Sequence, residues 1–214
     1  MATLPKYPYF ITVPATALVV ALGSRGLALG TSGIVGAAAL GVLWAIVLGM
    51  VVERLARLDH WKQRLANGSV LIVIVASGLM LGGGLMYGLL MRAAAGASAE
   101  VLSAMMQPTI PFFIILNTPL ELAVVPCAIF ANWHNRTRRR LILIAAASFY
   151  ALRVWSYLVY VPNRMAIASR PLSPVDLEWF QRSMEVDYRA LLLAIVFVGF
   201  TMAALVRDRS REET

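Results

Sequence analysis

The sequence predicts an all-α fold: a polytopic membrane bundle of six transmembrane helices, a two-helix N-terminal hairpin followed by a four-helix bundle, with a short interfacial helix before the last span. Three observations predict it. Of 214 residues, 60% are hydrophobic and only 14% charged, and the mean hydropathy is +0.75, outside the balance of a soluble domain of this size. The apolar residues gather into six runs of about 20 residues, the length that crosses roughly 30 Å of hydrocarbon at about 1.5 Å per residue. Basic residues stand beside those runs, where flanking charge sets orientation.

The spans fall near 8–28, 33–52, 69–91, 110–131, 141–161 and 189–206. The first, with Lys6 before it and no A-x-A site after it, reads as a span in preference to a cleaved leader. Alternate connections carry twelve Lys and Arg on one side, from Lys6 to Arg211, and six on the other. Short cytoplasmic loops keep positive charge, so both termini are expected in the cytoplasm of an inner-membrane protein of bacterial type. The domains divide accordingly into the hairpin with its basic loop over 1–65, the four-helix bundle over 66–207, and a cytoplasmic tail over 208–214.

The loops hold further signals. The sequons at Asn67 and Asn135 fall on the cytoplasmic side, where glycosylation does not occur. The run RTRRR at 136–140 reads as a topology anchor touching anionic lipid. SPVD at 173–176 is a helix start, and the helix it opens carries Trp179 as an interfacial anchor or as part of a lid. Glycine pairs at spacing four, Gly78/Gly82 and Gly84/Gly88, place the third span deep in the bundle, and Gly26/Gly30 repeats the spacing at the end of the first.

Several function classes are excluded by composition. The net charge of +8 comes without a basic, aromatic-interleaved surface, so nucleic acid is not a partner. One cysteine, Cys127, permits no internal disulfide and no Cys/His cluster. His60 and His134 lack ligand partners at helical spacing, and the ten methionines read as core filling, so no metal and no cofactor is expected. Membrane lipids are the expected partners, with a hydrophobic small molecule and other membrane protein subunits as further candidates.

The fourth span, FFIILNTPLELAVVPCAIF, carries Asn117, Pro119 and Glu121 at its centre. A carboxylate in hydrocarbon needs a partner, a proton or water. Pro119 and Pro126 lack an N–H, which frees the carbonyls of Ile115 and Leu122 and kinks the helix. Asn117 and Glu121 share a face at i, i+4. The fifth span holds Arg153, with Tyr150 and Tyr157 on its face. Counted from the cytoplasmic ends of the two antiparallel spans, Glu121 and Arg153 lie within about 3 Å of one level. A lone mid-membrane charge costs about 2.5 to 3.5 kcal/mol, so the two are expected to pair. The pair serves either to fix which helices are neighbours or to build a polar pocket with Glu121 as proton acceptor and Arg153 as its charge partner, the two catalytic candidates.

From about 69 to 206 the order of features resembles the anthrone-oxygenase-like family of small four-helix integral membrane proteins, mostly of unknown function. The shared elements are a Gly-rich helix ending in Met91, the amphipathic stretch SAEVLSAMM, an apolar helix with a basic turn after it, a helix ending in Pro162-Asn163, a segment bearing Trp179, and Arg189 entering the last helix. The resemblance implies a four-helix bundle and oxygen-dependent oxidation of an aromatic or phenolic molecule without metal or flavin. It carries over Pro162, Asn163, Trp179 and Arg189 as site residues. Burial argues for Glu121 and Arg153, with Asn117, Tyr150 and Tyr157 beside them as substrate-binding candidates. The competing expectation is a non-catalytic subunit or assembly factor of a membrane complex. A transporter is disfavoured, because no second broken helix occurs in a matching repeat.

Overall fold

The computed structural model describes residues 7–25, 30–94, 98–162 and 188–206, and all of its regular structure is helical. In chain order the elements are α1 (Tyr7–Arg25), α2 (Thr31–Leu55), α3 (Asp59–Ala93), α4 (Ala99–Met106), α5 (Thr109–Pro119), α6 (Val125–Ala131), α7 (Arg136–Trp155) and α8 (Tyr188–Leu205). A π-helical turn, Leu120–Val124, joins α5 to α6, and a second, Ser156–Tyr160, extends α7.

Among the described residues four helices are long and apolar enough to cross a membrane: Thr31–Leu55, His60–Ala93, Pro111–Ala131 and Arg136–Tyr160, with Arg189–Leu205 a shorter apolar helix. Their outer faces carry large apolar side chains such as Leu40, Leu43, Leu71, Val75 and Leu85, each more than half exposed. Such a surface suits hydrocarbon far better than water. The amphipathic stretch after Met91 is α4. The helix expected at 173–176 lies outside the described residues.

The core is shared by α3, α5–α6, α7 and α8, through Val70, Val73, Leu120, Ile129, Ile142, Phe149, Val196 and Phe200. At Gly199, α8 meets Ala145 of α7 so closely that an added Cβ would stand 2.8 Å from the alanine methyl. At one end of the bundle Arg138 donates to Asn67 Oδ1 at 2.8 Å and to the Ala66 carbonyl at 3.3 Å, and Asn132 Nδ2 reaches the same carbonyl at 3.2 Å. The RTRRR turn is therefore partly a clamp. Arg138 is buried and ties α7 to α3, and Arg139 lies over the Trp133 ring.

The N-terminal pair leans on this core. α1 packs along α2 and also touches α6, α7 and both π turns. Its seat on α2 is a row of small buried residues, Gly41, Ala45 and Gly49. An added Cβ at Gly41 would stand 2.9 Å from the Ala17 Cα, and one at Gly49 would strike the rings of Tyr9 and Phe130. The glycines expected to carry close packing behave differently. Among the described residues nothing lies within 4 Å of a Cβ built at Gly82, Gly84 or Gly88, while Gly78 meets Phe197. The third span is thus a helix with one packed face and open space beside these three glycines, not a deeply enclosed one. Spacing of small residues permits close approach without showing which row is approached.

Gly41→Val therefore drives a branched side chain into the α1 backbone and should cost about 1–3 kcal/mol. Gly88→Ala enters open space and removes a helix-interior glycine worth about 1 kcal/mol. Thermal unfolding in detergent should show a lower midpoint for the first variant and an equal or higher one for the second.

Candidate functional site

The site begins with backbone geometry. After Pro119 the chain makes a π-helical turn in which the Val125 N–H donates to the Leu120 carbonyl, five residues back. In that wide register the next donor would be residue 126, which is Pro126 and has no N–H. Two carbonyls in this region are met from other helices. The Tyr150 hydroxyl donates to the Glu121 carbonyl at 3.1 Å, and the Trp44 indole Nε1 donates to the Leu122 carbonyl at 2.7 Å. The proline-freed Leu122 acceptor expected from sequence is thus satisfied by α2. An unpaired carbonyl in hydrocarbon cannot turn to water, so each donor matters more here than at a wet surface.

The same turn presents the Glu121 side chain to α7. Arg153 Nε donates to Oε2 at 2.6 Å, and the Tyr157 hydroxyl donates to Oε1 at 2.7 Å. The Arg153 guanidinium carbon also lies 4.6 Å from the centre of the Tyr157 ring, a cation–π contact. Glu121 is 3% exposed and Arg153 9%. Tyr157 belongs to the second π turn, where the Val161 N–H donates to the Ser156 carbonyl and Ser156 Oγ back-bonds to Leu152. Two wide turns on neighbouring helices therefore supply the two ends of one hydrogen-bonded cluster. Isolated π turns are rare and concentrate at functional sites.

Helix α1 closes the cluster. A Cβ added at Gly23 would meet the Tyr157 ring at 3.4 Å, so the glycine leaves room for the phenol. Thr16, wholly buried, brings its hydroxyl beside the Tyr150 phenol.

Of the residues expected at the site, Glu121, Arg153, Tyr150 and Tyr157 come together. Asn117 is buried too, but its amide donates to the Phe113 carbonyl at 2.8 Å, within α5, and among the described residues no hydrogen bond joins it to the cluster. Arg189 stacks on Tyr160 at 3.7 Å, at the end of the second π turn. Asn163 and Trp179 lie outside the described residues. Sequence reasoning missed Trp44, Thr16 and Gly23. Only Trp44 left a trace, as an indole N–H in the middle of an apolar span opposite a carbonyl freed by proline.

Among the described residues no group of three His, Cys, Asp or Glu is placed to hold a metal ion. Compared with known proteins, the chain matches no family model, no curated protein and no solved structure.

Tyr150→Phe and Trp44→Phe each strip a carbonyl of its donor and should each cost about 1–3 kcal/mol. Trp155→Phe, at a position 53% exposed, should stay within about 0.5 kcal/mol. Denaturant titration of the detergent-solubilised chain followed by circular dichroism would separate the three.

Proposed function

We propose that the chain is an integral membrane protein whose six helices cross the bilayer with both termini cytoplasmic, and whose mid-membrane carboxylate takes up a hydrophobic phenol-class molecule. The twelve-to-six division of Lys and Arg supports the orientation. One observation carries the binding reading. Glu121 already holds a phenol, that of Tyr157, in a 2.7 Å hydrogen bond. A ligand hydroxyl displacing Tyr157 would find the same acceptor, with Arg153 alongside to stabilise the phenolate formed when Glu121 accepts its proton. An electron-rich phenolate or carbanion is the species that reacts with molecular oxygen, the oxidant in the cofactor-independent chemistry that the anthrone-oxygenase-like resemblance implies. On this reading Glu121 is the base and Arg153 the charge partner; Tyr150 fixes the backbone beneath the base.

A second reading, a non-catalytic subunit or assembly factor, draws on a different feature. Both carboxylate oxygens are already bonded within the chain, so the cluster is complete as a packing device. The open edge of α3 at Gly84 and Gly88, which share a face at spacing four, would then meet a partner helix.

Titration with a naphthol distinguishes them. The pocket reading expects saturable binding, tightened about tenfold in Tyr157→Phe, which removes the internal competitor, and lost in Glu121→Gln. Equal uptake by all three proteins would mean that naphthol simply partitions into the micelle, and would leave the packing reading.

A further inference from the structure

A second feature lies at the far end of the bundle from the Arg189–Tyr160 stack. A cavity of about 110 Å³ opens where the start of α1, the end of α2, the start of α3 and the end of α6 converge. Its floor is apolar, with Phe130 and Trp133 buried; Arg139 stacks on the Trp133 ring at 4.8 Å and donates to its carbonyl at 3.1 Å. Its rim is charged: Arg57 stands in the turn between α2 and α3 and Lys62 at the start of α3, with His134 and Glu53 beside them. Among the described residues Glu53 is the one acid in the lining, and it lies next to Tyr9.

This lining has a chemical complement. Two cations on adjacent helix ends offer a fork and a point charge to a phosphate. A carboxylate within the same cavity disfavours a bare anion and favours a ligand whose phosphate carries a neighbouring ammonium. The apolar floor accepts the carbon skeleton on the other side of the phosphate. On the orientation proposed above, the cavity faces the cytoplasmic headgroup layer, where basic pockets between helices meet phospholipid headgroups.

We infer that this cavity binds a phosphodiester with an ethanolamine-type ammonium, supplied by a membrane phospholipid. Arg57 and Lys62 hold the phosphate, Glu53 the ammonium, and Phe130 with Trp133 the glycerol end. The same chemistry is present in soluble glycerophosphoethanolamine, so the test needs two arms. In the first, the full chain in micelles is mixed with phosphatidylethanolamine or phosphatidylglycerol, and retained lipid is counted by native mass spectrometry. In the second, glycerophosphoethanolamine or inorganic phosphate is added alone. The wild type should retain the ethanolamine lipid over the glycerol lipid. Arg57→Gln combined with Lys62→Gln should weaken retention about tenfold or more. Glu53→Gln should level the two headgroups. Glycerophosphoethanolamine binding as tightly as the lipid, and equally lost in the double variant, would support the site and assign it a soluble source.

The inference is overturned if the double variant, with an unchanged unfolding midpoint, keeps as much phosphatidylethanolamine as the wild type, or if neither arm shows retention. Arg57 and Lys62 are exposed, so these changes leave the core intact. Micelle binding does not depend on which side of a membrane the cavity faces, so this result and a failure of the proposed orientation would be told apart.

Discussion

A single carboxylate organises the centre of this molecule. Glu121 receives hydrogen bonds from Arg153 and Tyr157 on one neighbouring helix, and its own carbonyl receives one from Tyr150 on the same helix. Side chain and backbone of one residue thus tie the proline-broken helix to α7 at three points. An ion pair at this depth is costly to bury and costlier to break, because removing either partner leaves an uncompensated charge. The remaining helices take their places around a junction that tolerates little sliding.

The backbone irregularity and the polar cluster are two aspects of one arrangement. Prolines at 119 and 126 make an uninterrupted α register impossible, and the π turn between them widens the helix and opens carbonyls. Tyr150 and Trp44 fill two of those acceptors, which recruits α7 and α2 to the same point. A second π turn in α7 carries Tyr157 to the other carboxylate oxygen, and Gly23 of α1 leaves the space its ring occupies. Three helices, α1, α2 and α7, thus contribute either a donor or a gap.

Much of this was legible in the sequence, for identifiable reasons. Helical rise is constant, so counting from the ends of two antiparallel apolar runs put Glu121 and Arg153 at one level, and they do meet. Proline chemistry named Leu122 as an open acceptor. What remained hidden depends on neighbours and register. Periodicity does not say which helix lies beside Leu122, so Trp44 went unnoticed. Spacing puts Asn117 on the face of Glu121 without saying where its amide bonds, and that amide stays within α5. Glycine spacing pointed to Gly82, Gly84 and Gly88, whereas the row under α1 is Gly41, Ala45 and Gly49, its pattern disguised by the alanine. Asn163 and Trp179, carried over from the family resemblance, lie outside the described residues.

The central claim is that Glu121 and Arg153 act as one unit. A double-mutant cycle with Glu121→Gln, Arg153→Met and the two combined tests it through unfolding free energies in detergent. The account predicts that each single change costs about 3–5 kcal/mol while the combined variant is no less stable than either, a large coupling. Losses that simply add, within about 0.5 kcal/mol, would contradict it.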